Sequence, residues 1–185
     1  MPISRQQVRQ RACKIKLLLL DVDGVMTDGR IYYVPRPGGG MFETKTFHSR
    51  DGIGIRYAQS AGLKVGIISG RGSDTVRYRA KELNMDFVEE NTLKKIPPYE
   101  RILRAAGVKD EEVCYVGDDL VDLPILKRAG LAVSVQNGHP LLRRHVHYVT
   151  QAPGGLGAIR ETIEIILDAQ GKLKPLVEDY LRAAD

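Results

Sequence analysis

Four consecutive leucines, Leu17 to Leu20, run without interruption into Asp21-Val22-Asp23-Gly24. An apolar run without alternation reads as a strand buried on both faces, the pattern of a parallel sheet covered by helices. The first strand is therefore predicted at 16–21. Further strands are predicted at 64–68, which reads as buried, and at 85–88, 113–116 and 131–135. Helical segments are predicted between them at 51–59, 73–83, 97–106 and 120–128, the third entered through Pro97-Pro98. A short helix at 4–14 takes Ser4 as its N-cap, a long amphipathic helix covers 155–169, and a tail element follows at 173–184. Strands alternating with helices from residue 50 onward mean βαβ units, so the fold class is α/β with a central parallel sheet flanked by helices. One segment breaks the alternation. Residues 30–34 and 41–47 are strand-like around Pro35-Arg36-Pro37-Gly38-Gly39-Gly40, which predicts a β-hairpin with a loose tip, inserted after the first strand.

At 185 residues the chain is expected to form one domain spanning 1–185, with a hairpin flap at 29–48 and a C-terminal tail at 170–185. The formal charge of +5 raises the question of nucleic acid. The basic residues are interleaved with acidic ones, with no basic tail and little aromatic material beside them, so no nucleic-acid partner is expected. A small anionic substrate accounts for local positive charge equally well. The two cysteines, Cys13 and Cys114, make neither a disulfide framework nor a metal spacing, which fits a reducing cytoplasm. The polar N-terminus does not look like a signal peptide, and no stretch is long and apolar enough to span a bilayer, so no membrane partner is expected.

The chemistry collects at strand ends. The first strand ends in Asp21-Val22-Asp23, the strand at 64–68 in Ser69-Gly70-Arg71, and the strand at 113–116 in Gly117-Asp118-Asp119-Leu120-Val121-Asp122. In a parallel sheet these ends share one rim, where open α/β sheets bind their ligands. Two carboxylates at a buried strand end are costly unless a cation or a proton shares the site. Oxygen ligands without a His or Cys cluster favour Mg²⁺ over Zn²⁺. One Asp of the pair is suited to attack phosphorus, and its partner two residues on to move the protons. Ser69 and one of Lys94 or Lys95 are placed to hold phosphoryl oxygens. Phosphate monoesters hydrolyse so slowly unaided that in-line positioning and charge neutralisation are required as well as an acid.

In this order and spacing, Asp-Val-Asp-Gly-Val, the strand ending in Ser-Gly, the downstream lysine and Gly-Asp-Asp-x-x-Asp resemble the four motifs of the haloacid dehalogenase superfamily of phosphatases, with its Rossmann-like fold. Asp28-Gly29-Arg30-Ile31-Tyr32, the segment from Lys45 to Ile55 and the segment from Gly154 to Glu161 narrow the resemblance. They are similar to the capless 3-deoxy-D-manno-octulosonate 8-phosphate phosphatase family, over about residues 15–173. That resemblance implies Mg²⁺-dependent release of phosphate from a sugar acid phosphate through an aspartyl-phosphate, in lipopolysaccharide synthesis. It implies Asp21 as nucleophile and metal ligand, Asp23 as acid/base with its carbonyl on the metal, and Asp118 as the third ligand. Asp122 becomes an orienting residue behind them, Ser69 the phosphate-binding hydroxyl, and Lys95 the favoured lysine. Substrate contacts are implied for His48, Ser49, Arg50, Asp51 and Gly52, with arginines at Arg56, Arg71 and Arg79. The family forms a homotetramer, and the hairpin and tail of neighbouring subunits are expected to cover the site. The chain departs from the family in its longer, glycine-rich hairpin tip, in His48-Ser49 where Asn-Val is common, and in Asn91 where Gly is usual. Two alternatives stand beside this reading: the same chemistry on a nine-carbon sialic-type sugar acid 9-phosphate, and a non-catalytic oligomerising module of the same fold.

Overall fold

The four leucines form β1 (Leu17–Leu20), and every one of them is buried. In this computed structural model, which describes residues 3–182, β1 lies near the middle of a six-stranded sheet. The other strands are β4 (Lys64–Ile68), β5 (Phe87–Glu89), β6 (Val113–Gly117), β7 (Leu131–Ser134) and β8 (Tyr148–Val149). Their order is β5-β4-β1-β6-β7-β8, and every pairing is parallel. Successive side chains of a strand point to opposite faces, so β1 feeds both layers. Leu18 and Leu20 pack into a core with α1 (Arg5–Ala12), α2 (Ser49–Ser60), α3 (Asp74–Glu82) and α6 (Ala158–Ala169). Leu17 and Leu19 pack into the opposite core with α4 (Ile96–Ala106) and α5 (Leu123–Leu126).

The topology positions the site. The chain builds β4 and β5 on one side of β1, then crosses back to build β6, β7 and β8 on the other, which makes β1 and β6 the switch point. The register brings the strand ends level, because Leu20 pairs with Ile67 of β4 and with Val116 of β6. Asp21 is one residue past that line; Ser69 and Asp118 are two.

The hairpin forms as expected, from β2 (Tyr32–Pro35) and β3 (Met41–Thr44) in antiparallel register, apart from the main sheet. The tail forms α7 (Leu173–Arg182), an amphipathic helix with no buried residue of its own. It leans on the body through the Tyr180 ring, 5.7 Å from that of Tyr57 on α2. The last two positions of the expected tail element, 183 and 184, lie outside the described residues.

Several boundaries move for local reasons. The helix expected at 120–128 arrives as a 3₁₀ turn, Leu120–Asp122, followed by α5 with Pro124 in its first turn. Asp119 caps that turn through the Leu120 N–H at 2.7 Å, while Asp122 turns inward. The helix expected from 155 begins only at Ala158, because Gly157 before it holds φ +113°, a conformation no helix continues. β8 and the 3₁₀ turns Asp110–Glu112 and Pro140–Arg144 carry too few residues for a pattern to announce them. Among the described residues no helix is long and apolar enough to cross a membrane.

Candidate functional site

The chain leaves β1 through a single tight turn, in which the N–H groups of Met26 and Thr27 both reach the Val22 carbonyl, at 2.9 and 3.1 Å. This turn sets Asp21 on the sheet and Asp23 two residues beyond it. The Asp21 N–H still donates to the Val116 carbonyl of β6 at 2.9 Å, so its backbone belongs to the ladder. Gly24 sits against Asp118. A Cβ built on Gly24 would lie 2.1 Å from Asp118 Oδ2, and φ there is +89°, so the position admits glycine alone. The loop after β8 closes behind the turn. A Cβ on Gly154 would fall 1.6 Å from the Gly24 carbonyl oxygen, a backbone approach that no side chain permits. Gly154 thus does more than turn the chain into α6.

Lys95 lies at the centre of the buried part of the site. It is enclosed, and its Nζ donates to Asp21 Oδ1 at 2.6 Å, Asp122 Oδ1 at 2.6 Å and the Tyr115 hydroxyl at 3.2 Å. Lys94 is exposed, so the choice between the two lysines is decided by burial. Asn91, upstream of the lysine, holds φ +59°, a left-handed conformation that Asn tolerates better than most residues and Gly adopts freely. Asp122 is fully buried and uses both oxygens. Oδ1 receives Lys95 and the Tyr115 hydroxyl at 2.7 Å, and Oδ2 receives the backbone N–H groups of Asp118 and Asp119 at 3.0 and 3.2 Å. Asp122 therefore fixes the lysine and the Asp118 backbone together.

Oxygens of Asp21, Asp118 and Asp122 all come within 4.8 Å of one another. Such crowding is unfavourable in a metal-free pocket. Burial, opposed by Lys95 and reinforced by Asp122, raises the Asp21 carboxyl to about 6. Burial, with Asp21 and Asp122 beside it, raises Asp118 to about 8. The Lys95 ammonium is penalised by burial but raised on balance by its two carboxylate partners. An all-oxygen donor set with surplus negative charge fits a hard divalent cation.

Asp23 belongs to a second, shallower network. Lys45, just after β3, has a completely enclosed side chain whose Nζ donates to Asp23 Oδ1 at 2.5 Å and lies 3.3 Å from Glu43 Oε1. Glu43 Oε2 accepts from Arg71 Nη2 at 2.7 Å. Arg71 follows β4, and its own N–H donates to the Ser69 hydroxyl oxygen at 3.2 Å. The Glu43 carboxyl lies below the usual range because Arg71 bonds it. This chain of contacts runs from Asp23 through the hairpin to the Ser69 strand end.

The remaining expected site residues divide. Ser49 and Arg50 are exposed in the first turn of α2, with His48 at its N-cap position. Arg56 is exposed further along α2, and its side chain makes no hydrogen bond or ion pair among the described residues. Arg79, on α3, reaches back over Phe47 with its guanidinium 5.7 Å from the ring centroid and pairs with Glu82 at 2.8 Å. A Cβ on Gly52 would lie 2.3 Å from Arg79 Nη2, so Gly52 makes room for that arginine. Asp51 departs from the substrate-contact expectation. Its carboxylate is buried and accepts the N–H groups of Gly157 at 3.1 Å and Arg160 at 2.8 Å, capping α6 from α2. Burial raises its carboxyl while those two N–H bonds pull it down. Lys45, Glu43 and Tyr115 were not singled out by sequence reasoning. A lysine and a glutamate beside an exposed hairpin read as solvated charges, and a tyrosine in an apolar run reads as core.

Comparison with known proteins agrees with this geometry. The family model of haloacid dehalogenase-like hydrolases matches residues 53–130. The 3-deoxy-D-manno-octulosonate 8-phosphate phosphatase KdsC of Yersinia pestis is 42% identical over 167 residues, 90% of this chain and 87% of that protein. Its counterpart in Escherichia coli (strain K12) is 41% identical over 172 residues, 93% of this chain and 89% of that one. The crystal structure of the Moraxella catarrhalis phosphatase of the same name, in complex with a magnesium ion, a phosphate ion and KDO, superposes with a TM-score of 0.88 at 35% identity, covering 95% of this chain and 98% of that one. With motif order, sheet topology and identity along most of its length in agreement, the chain belongs to the 3-deoxy-D-manno-octulosonate 8-phosphate phosphatase family of the haloacid dehalogenase superfamily.

Proposed function

We propose that this chain is a phosphomonoesterase that hydrolyses 3-deoxy-D-manno-octulosonate 8-phosphate to the free sugar acid and inorganic phosphate, in the cytoplasmic part of lipopolysaccharide synthesis. The observation that carries the reading is the buried contact of Lys95 with Asp21 and Asp122, beside Asp118, at the switch point of the sheet. A carboxylate held by a buried ammonium is an oriented nucleophile rather than a solvated surface acid. A non-catalytic module has no need to bury such a set, and burying charge without use is destabilising.

Asp21 attacks phosphorus in line with the sugar oxygen. The O–P bond to the sugar breaks as Asp23 gives its proton to that oxygen, leaving an aspartyl-phosphate on Asp21 and a carboxylate on Asp23. Asp23 then takes a proton from the water that attacks the same phosphorus, and phosphate leaves with Asp21 regenerated. Ser69, whose oxygen accepts the Arg71 N–H, keeps its own proton free to donate to a phosphoryl oxygen. Lys95 holds Asp21 in place and neutralises charge on the transferring group, and Asp122 orients Lys95. Asp21, Asp118 and the Asp23 carbonyl would hold Mg²⁺, which when bound would supply charge neutralisation at the phosphoryl group. In this reading the sugar carboxylate is met by the exposed cations Arg50, Arg56 and Arg71, with His48 and Ser49 at the start of α2. Asp51, Gly52 and Arg79 serve this region by bracing α2 against α6 and α3.

The reading takes residues 1–185 as one catalytic unit that works as a homotetramer. A rim without a cap leaves the aspartyl-phosphate open to water, and the hairpin carries apolar side chains into solvent, Tyr33 and Met41 each 62% exposed. The hairpin at 29–48 and the tail at 170–185 of neighbouring copies supply the cover.

The test is phosphate release from a panel of sugar acid phosphates, with Mg²⁺ and with EDTA, by wild type and Asp21→Asn. The expected outcome is Mg²⁺-dependent release, fastest from the eight-carbon 8-phosphate and abolished by Asp21→Asn. Faster release from a nine-carbon sialic-type 9-phosphate overturns the substrate. Release that survives EDTA or Asp21→Asn overturns the mechanism.

A further inference from the structure

We infer that Lys45 is a positioning residue for the acid/base Asp23, and that Glu43 ties this pair to Arg71, so that the hairpin places the acid. The inference rests on the proposed phosphatase chemistry at Asp21 and Asp23 and deepens it.

Lysine is among the residues least often fully buried, and only when paired. Lys45 is completely enclosed at the base of a hairpin whose neighbouring side chains, Met41 and Phe42, stand in solvent. A hairpin that needed only an anchor would be better served there by an apolar residue, since replacing a buried ion pair with packed apolar groups is often neutral or stabilising. The enclosed ammonium has instead two carboxylate neighbours, Asp23 at 2.5 Å and Glu43 at 3.3 Å. Glu43 passes the contact on to Arg71 at 2.7 Å.

The geometry assigns a task to each oxygen of Asp23. Oδ1 is engaged by Lys45, so the proton that Asp23 gives to the leaving sugar oxygen, and later takes from water, belongs on Oδ2. A carboxyl transfers its proton only within hydrogen-bond reach of its target. Free rotation about its Cβ–Cγ bond exchanges the two oxygens and spoils that reach. One ammonium fixed on Oδ1 stops the exchange. Because Lys45 lies on the hairpin and Glu43 joins it to Arg71 at the Ser69 strand end, the acid is aligned when hairpin and strand end are in register with each other.

A leaving-group comparison separates this role from simple anchoring. An alkyl phosphate, such as the sugar 8-phosphate, expels a strongly basic oxygen and needs the Asp23 proton. An aryl ester such as 4-nitrophenyl phosphate expels a weakly basic phenolate and needs it little. The measurement is single-turnover release of each leaving group with Mg²⁺, together with steady-state kcat and KM, for wild type, Lys45→Met, Glu43→Gln, Asp23→Asn and the double variant Lys45→Met/Asp23→Asn. Lys45→Met is expected to slow alkyl release about 100-fold and aryl release about tenfold less than that, with KM little changed. The double variant is expected to be no slower than Asp23→Asn alone, and Glu43→Gln to show the same selectivity more weakly. Circular dichroism checks folding, and where Lys45→Met does not fold, Glu43→Gln carries the comparison. Equal losses on both esters, a loss confined to KM, or additivity with Asp23→Asn overturns the inference. If Asp23→Asn itself shows no leaving-group selectivity, it is the acid/base reading of Asp23 that fails.

Discussion

Lys95 joins two buried carboxylates that repel each other. Its ammonium is shared between Asp21 and Asp122, both buried, and Asp122 has no exposed surface at all. Removing one partner of a buried pair leaves an uncompensated charge, which costs about 3–5 kcal/mol. Lys95→Met, similar in length but without charge, is therefore expected to lose phosphatase activity and about that much stability in EDTA, read from urea unfolding midpoints. A loss below 1 kcal/mol would show that the carboxylates find another counter-charge. At this scale the sequence was unevenly legible. Asp21, Asp23 and Asp118 stood out because strand ends announce themselves by an abrupt change from apolar to acidic, whereas Lys95 was favoured over Lys94 only by the family resemblance. Lys45 gave no such signal, because its burial depends on Asp23, 22 residues away in the chain.

α6 is held at its N-terminus by a side chain from another element. The orphan N–H groups of a helix start need acceptors, and Gly157, which precedes α6, has no side chain to supply one. Asp51 supplies it from α2, accepting the N–H groups of both Gly157 and Arg160. Removing a capping carboxylate costs about 0.5–2 kcal/mol. Asp51→Ala is expected to lower stability by that amount in thermal or urea unfolding while leaving the KM of the folded enzyme within about twofold, a margin small beside the tenfold that 1.4 kcal/mol of binding would give. A large rise in KM with unchanged stability would return Asp51 to the substrate. Most helices and strands were legible because periodicity is a local signal. The partner of a helix end is not, since nothing in the order of residues indicates that Asp51 meets Gly157. The 3₁₀ turn at Leu120–Asp122 was hidden for the same reason: Asp122 tightens it by bonding inward to Asp118 and Asp119, whereas the sequence shows only a helix-like run.

As a whole molecule the chain is a sheet with both faces covered and one rim left open beside an apolar hairpin. Val34, Met41 and Phe42 are exposed on that hairpin, and Val177, Tyr180 and Leu181 on α7. Several exposed apolar side chains on one element suit an interface. The proposed homotetramer predicts that wild type sediments as four chains, and that Val34→Lys with Met41→Lys shifts it to lighter species with lower kcat/KM. Full activity in a single-chain species would show that the rim needs no cover from a neighbour.

By itself the sequence determined the α/β class, the parallel sheet, the hairpin insertion and the order of the acidic strand ends, because each is written in local periodicity or in residues a few positions apart. The tertiary structure decided which of two adjacent lysines enters the pocket, that Asp122 is the hub joining Lys95 to the Asp118 backbone, that Asp51 caps α6, and that Lys45 reaches Asp23. Those are contacts between distant segments, and they exist only because the register of β1 with β4 and β6 brings three strand ends level while the hairpin reaches the segments that follow β1 and β4.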